Sequence, residues 1–419
     1  MSTSSATPTS SVSAATLLGR RFSVRSAGVV YALILLVVLI AIASSAQGRS
    51  GYLSSVNMSN ILDQTALVGI LAIFMTVVLI TGNFDLSVAS TAALSGTIAL
   101  ELIDGYGPFV AVVAAVLAGA AVGLANALLV QKLGVNAFIV TLGTLTAVRG
   151  IVQVILDGQS ITASDTSLLT LSTRRIVVPT WLALVVAVAI LSYVAWRVVK
   201  SSERARVVAE ASVLLLSGVA VLLVASLRPG LLDQTLPTWL MLVLALVTAA
   251  VLRYTVVGRN LYAVGGNPEA ARLSGISVDR YKMGAFVLNG AVAGVVGVLY
   301  AGRFNSVDPT VLNGAELTVI AAAVLGGTSL FGGSGYVGKS VVGALILFTL
   351  SNGFNVLNIG ANYQNVVQGG VLVAAAALYT VTNQNGRTSF RDKWRKRTGD
   401  STAAQPPVPV VEKQKEPVG

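Results

Sequence analysis

Residues 65–82 read TALVGILAIFMTVVLITG, a stretch without one charged side chain. A helix needs about 20 mostly apolar residues, at about 1.5 Å each, to cross the hydrocarbon layer of a bilayer. The stretch therefore has the character of a crossing segment, and the rest of the chain repeats it. Similar runs lie at about 28–46, 86–103, 108–130, 136–156, 180–198, 207–227, 237–254, 283–302, 315–329, 340–358 and 363–382. The expected fold is all-α, a polytopic helical membrane protein with about 12 spans and no fewer than 10. The runs 86–103 and 315–329 are short and rich in small and hydroxyl residues. That composition suits a helix packed on other helices, or a re-entrant segment, better than one facing lipid.

Composition agrees. Of 419 residues 54% are apolar and 11% charged, with a mean hydropathy of +0.80; soluble proteins carry roughly 25% charged residues. Cysteine and histidine are absent, which excludes disulfides, cysteine nucleophiles, histidine bases and His/Cys metal sites; no metal site is expected. The net charge of +11 has a topological cause. With the amino terminus inside, 22 of the 28 Lys and Arg residues fall on the inner side of the expected spans. This is the positive-inside bias, so both termini are expected in the cytoplasm and the basic groups meet lipid phosphates rather than nucleic acid.

Residues 1–27 open with MSTSSATPTSSVSAAT and read as a disordered cytoplasmic N-terminus. Arg20, Arg21 and Arg25 before the first run give it a passing likeness to a signal peptide, but the run reads as a retained span. Residues 28–382 form one transmembrane domain. Residues 383–419, basic and then Pro-rich (QPPVPVVEKQKEP), read as a disordered cytoplasmic tail.

The longest inner loop, 255–282, carries GRNLYAVGGNPEAARLSGISV at 258–278. Gly265, Gly266, Asn267 and Pro268 are expected to turn the chain. Glu269, Ala270, Ala271, Arg272 and Leu273 can then form a short helix that Ser274 and Gly275 end. The segment is either a solvated basic loop or a helix presented to a partner protein. In GNFDLSVAS (82–90), Asn83 and Asp85 stand between two apolar runs. Asp85 or Ser87 caps the following helix, or the segment breaks within the membrane and lines a pathway.

Arg149 lies inside an apolar run and must snorkel outward, near Asp157 or Glu101, or face the bundle interior. Glu316 opens the run 315–329 and is placed to pair with Arg303 or Arg149. Asn289, Asn352, Asn355, Asn358, Tyr363 and Gln364 put amide and aromatic groups into apolar runs. They serve either a hydrophilic substrate or helix–helix hydrogen bonds. GSGYVGKS at 333–340 spells a phosphate-binding loop, but lies between two spans rather than between strand and helix, and the pattern there carries no nucleotide site.

The 258–278 segment resembles the cytoplasmic coupling loop of bacterial ABC-type monosaccharide permeases, the ribose, xylose and galactose importer class. The likeness continues through residues 82–90, VNAFIVTLGTLTAVRGI (135–151), ELTVIAAAVLGGTSLFGGSG (316–335), SNGFNVLNI (351–359) and YQNVVQG (363–369). It implies a transport subunit of the bacterial inner membrane, not an enzyme, that translocates sugar by alternating access. The implied partners are cytoplasmic ATPases gripping the coupling loop, a second permease copy and an external sugar-binding protein. ATP and Mg belong to the ATPases, and no cofactor is expected on this chain. Between about 170 and 235 the chain is longer than ribose-type members, an added helical hairpin at about 180–227. Xylose and multiple-sugar permeases share that longer form, which favours xylose or a related pentose or hexose. A nucleoside, a signalling furanone or an amino acid would be a variant within the superfamily. An ion-coupled transporter would need ionisable groups at midplane, where Arg149 stands nearly alone. A membrane enzyme would need clustered acids, bases or metal ligands, whereas the acids here lie at run ends and in loops.

Overall fold

The computed structural model describes residues 24–49, 51–200 and 212–360, with 363, 366, 367, 369, 370 and 373 beyond them. The chain divides into a unit of residues 1–372 and another of 373–419, and the first is the one described below. The N-terminal stretch before Val24, most of the expected run 363–382 and the tail 383–419 lie outside the described residues.

Thirteen helices follow one another among the described residues. They are α1 (Val24–Ala46), α2 (Ser55–Ile80), α3 (Val88–Gln131), α4 (Ala137–Leu156), α5 (Ser167–Thr173), α6 (Thr180–Lys200), α7 (Ser212–Leu227), α8 (Leu236–Tyr254), α9 (Val256–Gly266), α10 (Pro268–Leu273), α11 (Val278–Phe304), α12 (Ala315–Leu325) and α13 (Val337–Val356). Eight of them have the length and composition of a crossing segment. A multi-pass helical membrane protein is thus what the described residues supply, without reaching the expected count of twelve.

The opening stretch forms the axis of the bundle. A helix apolar on every side should be buried on every side, and α2 is buried without interruption from Thr65 to Thr81. Helices α8, α11, α12 and α13 pack around it. The outer helices carry the opposite signature: Ile34, Leu35, Val154, Trp181 and Leu246 stand exposed on α1, α4, α6 and α8. Apolar exposure on this scale is the mark of a surface facing lipid.

Helix α3 would measure about 66 Å if straight. It is not straight, because Gly107 adopts φ 80° and ψ 167° and Pro108 follows; a residue at positive φ cannot continue a right-handed helix, and glycine adopts that conformation without a steric penalty. Gly96 packs on Gly297, whereas beyond the break Gly119 meets Gly290 and Gly123 meets Phe286. The chain has therefore reversed along α11, and the two halves, 88–106 and 108–131, are the expected separate runs.

Small residues allow this packing. Neither Gly119 nor Gly290 has room for a Cβ against the other's backbone, and Gly123 and Gly294 are similarly placed one turn along. This is the small-xxx-small packing by which helices approach closely in membranes.

Of the readings open for the run 315–329, the structure takes the re-entrant one: α12 spans about 16 Å, and Gly326, packed on the backbone of Lys339 and Ser340, and Gly327, at φ +82°, turn the chain away. Apart from two short strand pairs, the regular structure of the described residues is helical. Strand β1 (Ile161–Thr162) pairs antiparallel with β4 (Ser306–Val307), and β2 (Arg175–Val177) with β3 (Asp233–Thr235). These are connecting segments laid side by side, whose backbone groups satisfy one another. Between β2 and β3, α6 and α7 pack on each other through Ala183, Leu184, Val221 and Ala225.

Gly290→Val should disrupt the α3–α11 contact, at a cost of about 1–3 kcal/mol or more. Gly284, with nothing near its added Cβ, should accept alanine. Thermal unfolding of the detergent-purified protein would show a large drop for the first and none for the second; equal melting would refute the packing described.

Candidate functional site

Two polar constructions occupy one end of the bundle. The first is the helix pair α9 and α10. Thr255 starts α9 by accepting a hydrogen bond from the Gly258 amide at 3.2 Å. The helix then buries Leu261, Val264 and Gly265 against the body. Asn260 Nδ2 donates to Tyr281 Oη at 2.6 Å, and Tyr262 Oη donates to the Gly335 carbonyl at 2.8 Å. Burial raises the Tyr262 hydroxyl above its ordinary pKa, so it keeps its proton and its donor role at neutral pH.

At Gly265 the backbones of three segments meet. A Cβ there would have no room against the Ile80 carbonyl, and that carbonyl accepts the Gly333 amide at 2.9 Å. The sequence placed Gly265 and Gly266 in a turn. Instead they are the last residues of α9, held helical by this contact, and the chain turns at Asn267. The Asn267 side chain accepts from the Ala270 amide at 3.0 Å and starts α10 behind Pro268. Ser274 Oγ donates to the Ala270 carbonyl at 2.9 Å, and Gly275 leaves the helix at φ +81°.

Between residues 268 and 275 only Ala271 is buried, joining Val264, Ile276, Val278 and Tyr281 in a small apolar patch. Glu269, Ala270 and Arg272 stand in solvent, and Leu273 is 84% exposed. Asp279 lies 3.6 Å from Arg272 and 3.9 Å from Lys132; exposed pairs of this kind contribute little stability. The result is an anchored helix whose outer face is unpartnered.

The second construction begins three residues beyond Ile80. Asn83 is buried and donates to Thr81 Oγ1 at 3.1 Å. Asp85 is buried, and its two oxygens serve different segments. Oδ1 accepts from the Ser87 amide at 3.0 Å and the Ser87 hydroxyl at 2.6 Å; Oδ2 accepts from Asn289 Nδ2 at 2.9 Å. Asn126 Nδ2 donates to Ser87 Oγ at 2.9 Å, and Thr144 Oγ1 donates to Asn126 Oδ1 at 2.7 Å.

This chain of bonds ties α11, the 81–87 break, the second half of α3 and α4 together. Asn289 lies about 16 Å along α11 from Val278, so the break is well inside the bundle. The expected cap is not made in the expected way: Ser87 holds the cap position without a side-chain bond to the helix amides. A cavity of about 540 Å³ opens beside the break, lined by Gly82, Asn83, Phe84, Gln131, Asn136 and Lys282 among others.

The remaining candidates scatter. Arg149 makes no contact ion pair with Asp157, Glu101 or Glu316, although the charges of Glu316 and Asp308 act on it; it donates to the Val311 carbonyl. Glu316 is buried, and no ion pair joins it to Arg303, which donates to the Asp63 carbonyl oxygen at 2.9 Å. Asn352 exchanges two hydrogen bonds with Asn57, at 3.1 and 2.9 Å, and so joins α13 to α2. Asn355, Asn358 and Tyr363 are exposed, and Gln364 lies outside the described residues. At 333–340, α12 rather than a strand precedes the loop, and Lys339 sits 4.7 Å over the Tyr336 ring.

Sequence reasoning missed Asp63. It is 5% exposed on α2 and accepts from Thr235 Oγ1 and Thr238 Oγ1 at 2.7 Å each and from Arg175 at 3.2 Å. A lone carboxylate two residues before an uncharged run was the available signal. Its partners, more than 100 residues away, were not.

Comparison with known proteins adds the following. The family described as the permease component of the branched-chain amino acid transport system matches residues 57–376. The chain is similar to the ribose import permease protein RbsC of Escherichia coli K12, 34% identical over 344 residues, 82% of this chain and 91% of that one. It is similar to the xylose transport system permease protein XylH of the same organism, 33% identical over 342 residues, 80% and 87%. The XylH protein of Haemophilus influenzae is 33% identical over 365 residues, 84% and 96%. No solved structure gives a significant match.

Asp85→Ala would leave the Asn289 amide and the Ser87 donors without acceptors, at about 1–3 kcal/mol for each buried group. Asn355→Ala, at an exposed position, should change nothing. Thermal unfolding in detergent separates the two, and an Asp85→Ala protein as stable as the parent would contradict the linking role of this carboxylate.

Proposed function

Because the chain belongs to this family of transport-system permease components, we propose that it is the membrane subunit of an ATP-driven importer for a pentose. Relatives named for ribose and for xylose are equally close, so the pentose class, rather than xylose alone, is the substrate favoured. In this reading the chain crosses the membrane ten times, the lower of the expected counts, and both termini, α9 and α10 lie in the cytoplasm. ATPase subunits carrying ATP and Mg grip the exposed face of α10, an external binding protein delivers the sugar, and a second permease copy completes the pathway.

The observation that carries the proposal is the joint at Gly265. α10, exposed on one face for a partner, follows directly on α9, whose Gly265 is pressed on the Ile80 carbonyl, five residues from Asp85. ATPase closure displaces α10, and α9 moves with it because only Asn267 separates them. The ends of α2 and of the 326–335 loop follow, since backbone is packed on backbone there, and with them the 81–87 break. The hydrogen bonds from Asp85 and Asn126 extend the displacement to α11, α3 and α4. The two states are selected by partners with different affinity for each, ATP-bound ATPase on one side and loaded binding protein on the other. No bond is made or broken on this chain.

An amino acid is the second reading, favoured by the description of the matching family. Competition by unlabelled amino acids against pentose uptake separates the two.

Glu269→Lys and Gly275→Pro should abolish uptake while leaving the protein inserted. Proline cannot adopt the φ of +81° found at residue 275. The check is labelled ribose and xylose uptake by cells expressing each variant at parental level, with the ATPase content of the purified protein measured alongside. Uptake at full rate by either variant would refute docking at α10.

A further inference from the structure

At the end of α2 opposite the Gly265 joint, about 26 Å away along the helix, a cavity of about 300 Å³ opens between α2, α5, α11 and the β2–β3 pair. Asn60, Asp63 and Gln64 of α2, Ser172 of α5, Arg175 of β2 and Arg303 of α11 line it. We propose that this cavity is a binding site for a single neutral monosaccharide, occupied before translocation and partly built by the base of the α6–α7 hairpin. The proposal rests on the sugar-permease reading above, which puts this end of the bundle outside the cell.

Three observations carry it. The first is rigidity. Asp63 forms the buried floor, and its carboxylate is saturated by Thr235, Thr238 and Arg175. Arg175 also donates to the Asp233 carbonyl at 2.9 Å, and Arg303 to the Asp63 carbonyl. The walls are thus set before any ligand arrives, and that lowers the entropy lost on binding.

The second is the mixture of hydrogen-bonding groups. A sugar hydroxyl both donates and accepts, and needs neighbours of both kinds. The guanidinium groups only donate, the Asn60 and Gln64 amides do both, and the Thr173 hydroxyl, its proton given to the Leu169 carbonyl at 2.6 Å, accepts. An anion would want donors alone and would meet the Asp63 carboxylate on the floor.

The third is size. The volume is at the low end for small-molecule sites and admits one sugar ring rather than an oligosaccharide. Two of the lining residues, Arg175 and Thr235, belong to the strands that bracket α6 and α7. The hairpin therefore shapes the cavity without either of its helices lining it.

The test is equilibrium binding of tritiated ribose and xylose to the full chain in nanodiscs, without ATPase or binding protein, beside uptake by the assembled importer in cells. The double variant Asn60→Ala, Gln64→Ala alters one exposed and one half-buried side chain and leaves the Asp63 bonds intact. Its pentose affinity should fall about tenfold, the loss of one or two hydrogen bonds to a ligand, with unchanged melting and ATPase content. Arg303→Ala should weaken binding at least as much. Pentose uptake by the parental complex with binding unaffected by either variant, or with no saturable binding to the permease, would overturn this site and leave the importer reading standing. A parental complex that takes up neither pentose would overturn both.

Discussion

The arrangement depends on backbone touching backbone where the Ile80 carbonyl accepts the Gly333 amide and has Gly265 pressed against it. A lipid bilayer offers no hydrophobic force between helices, so close van der Waals fit and internal hydrogen bonds must hold them. Glycine permits both at this point, because only a residue without Cβ lets a carbonyl reach its neighbour's amide across a third chain. A contact with no side chain in it also has little freedom to yield. In the proposed importer this contact would carry a displacement of α9 and α10 to the end of α2.

The polar residues follow from the same constraint. In hydrocarbon an unpaired polar group costs several kcal/mol, so each buried one must find a partner or be worth its cost. Asp63 and Asp85 mark the two ends of α2, and each gathers donors from segments distant in sequence. Between them α2 is buried and carries no charge. In the proposed importer this apolar helix, with a polar cluster at each end, would couple one face of the bundle to the other.

Much of this was legible in the sequence. Uncharged runs of the right length located α2, α4, α6, α8 and α13, and the separate runs 86–103 and 108–130 are the two halves of α3 on either side of its reversal at Gly107. Asn267, Pro268 and Gly275 marked α10 because caps and positive-φ turns have strong local preferences. The misses share a cause. Gly265 looked like a turn residue, since glycine at a tight helix crossing and glycine in a turn are the same letter. Asn352 was open to a pathway role or to a helix–helix hydrogen bond, and only Asn57 opposite it supplies the second. The run 315–329 was short enough for a re-entrant segment, and it stops where Gly326 packs on α13 and Gly327 turns the chain at φ +82°. Each outcome was decided by a neighbour across the fold, which periodicity along one chain does not reveal.

The most direct test of the account is Gly265→Ala in the assembled transporter. The added methyl should force α9 away from Ile80 while leaving the exposed face of α10 intact. The account expects ATPase to co-purify at the parental ratio and pentose uptake to be lost. Uptake at the parental rate would show that the coupling helix does not act through this joint.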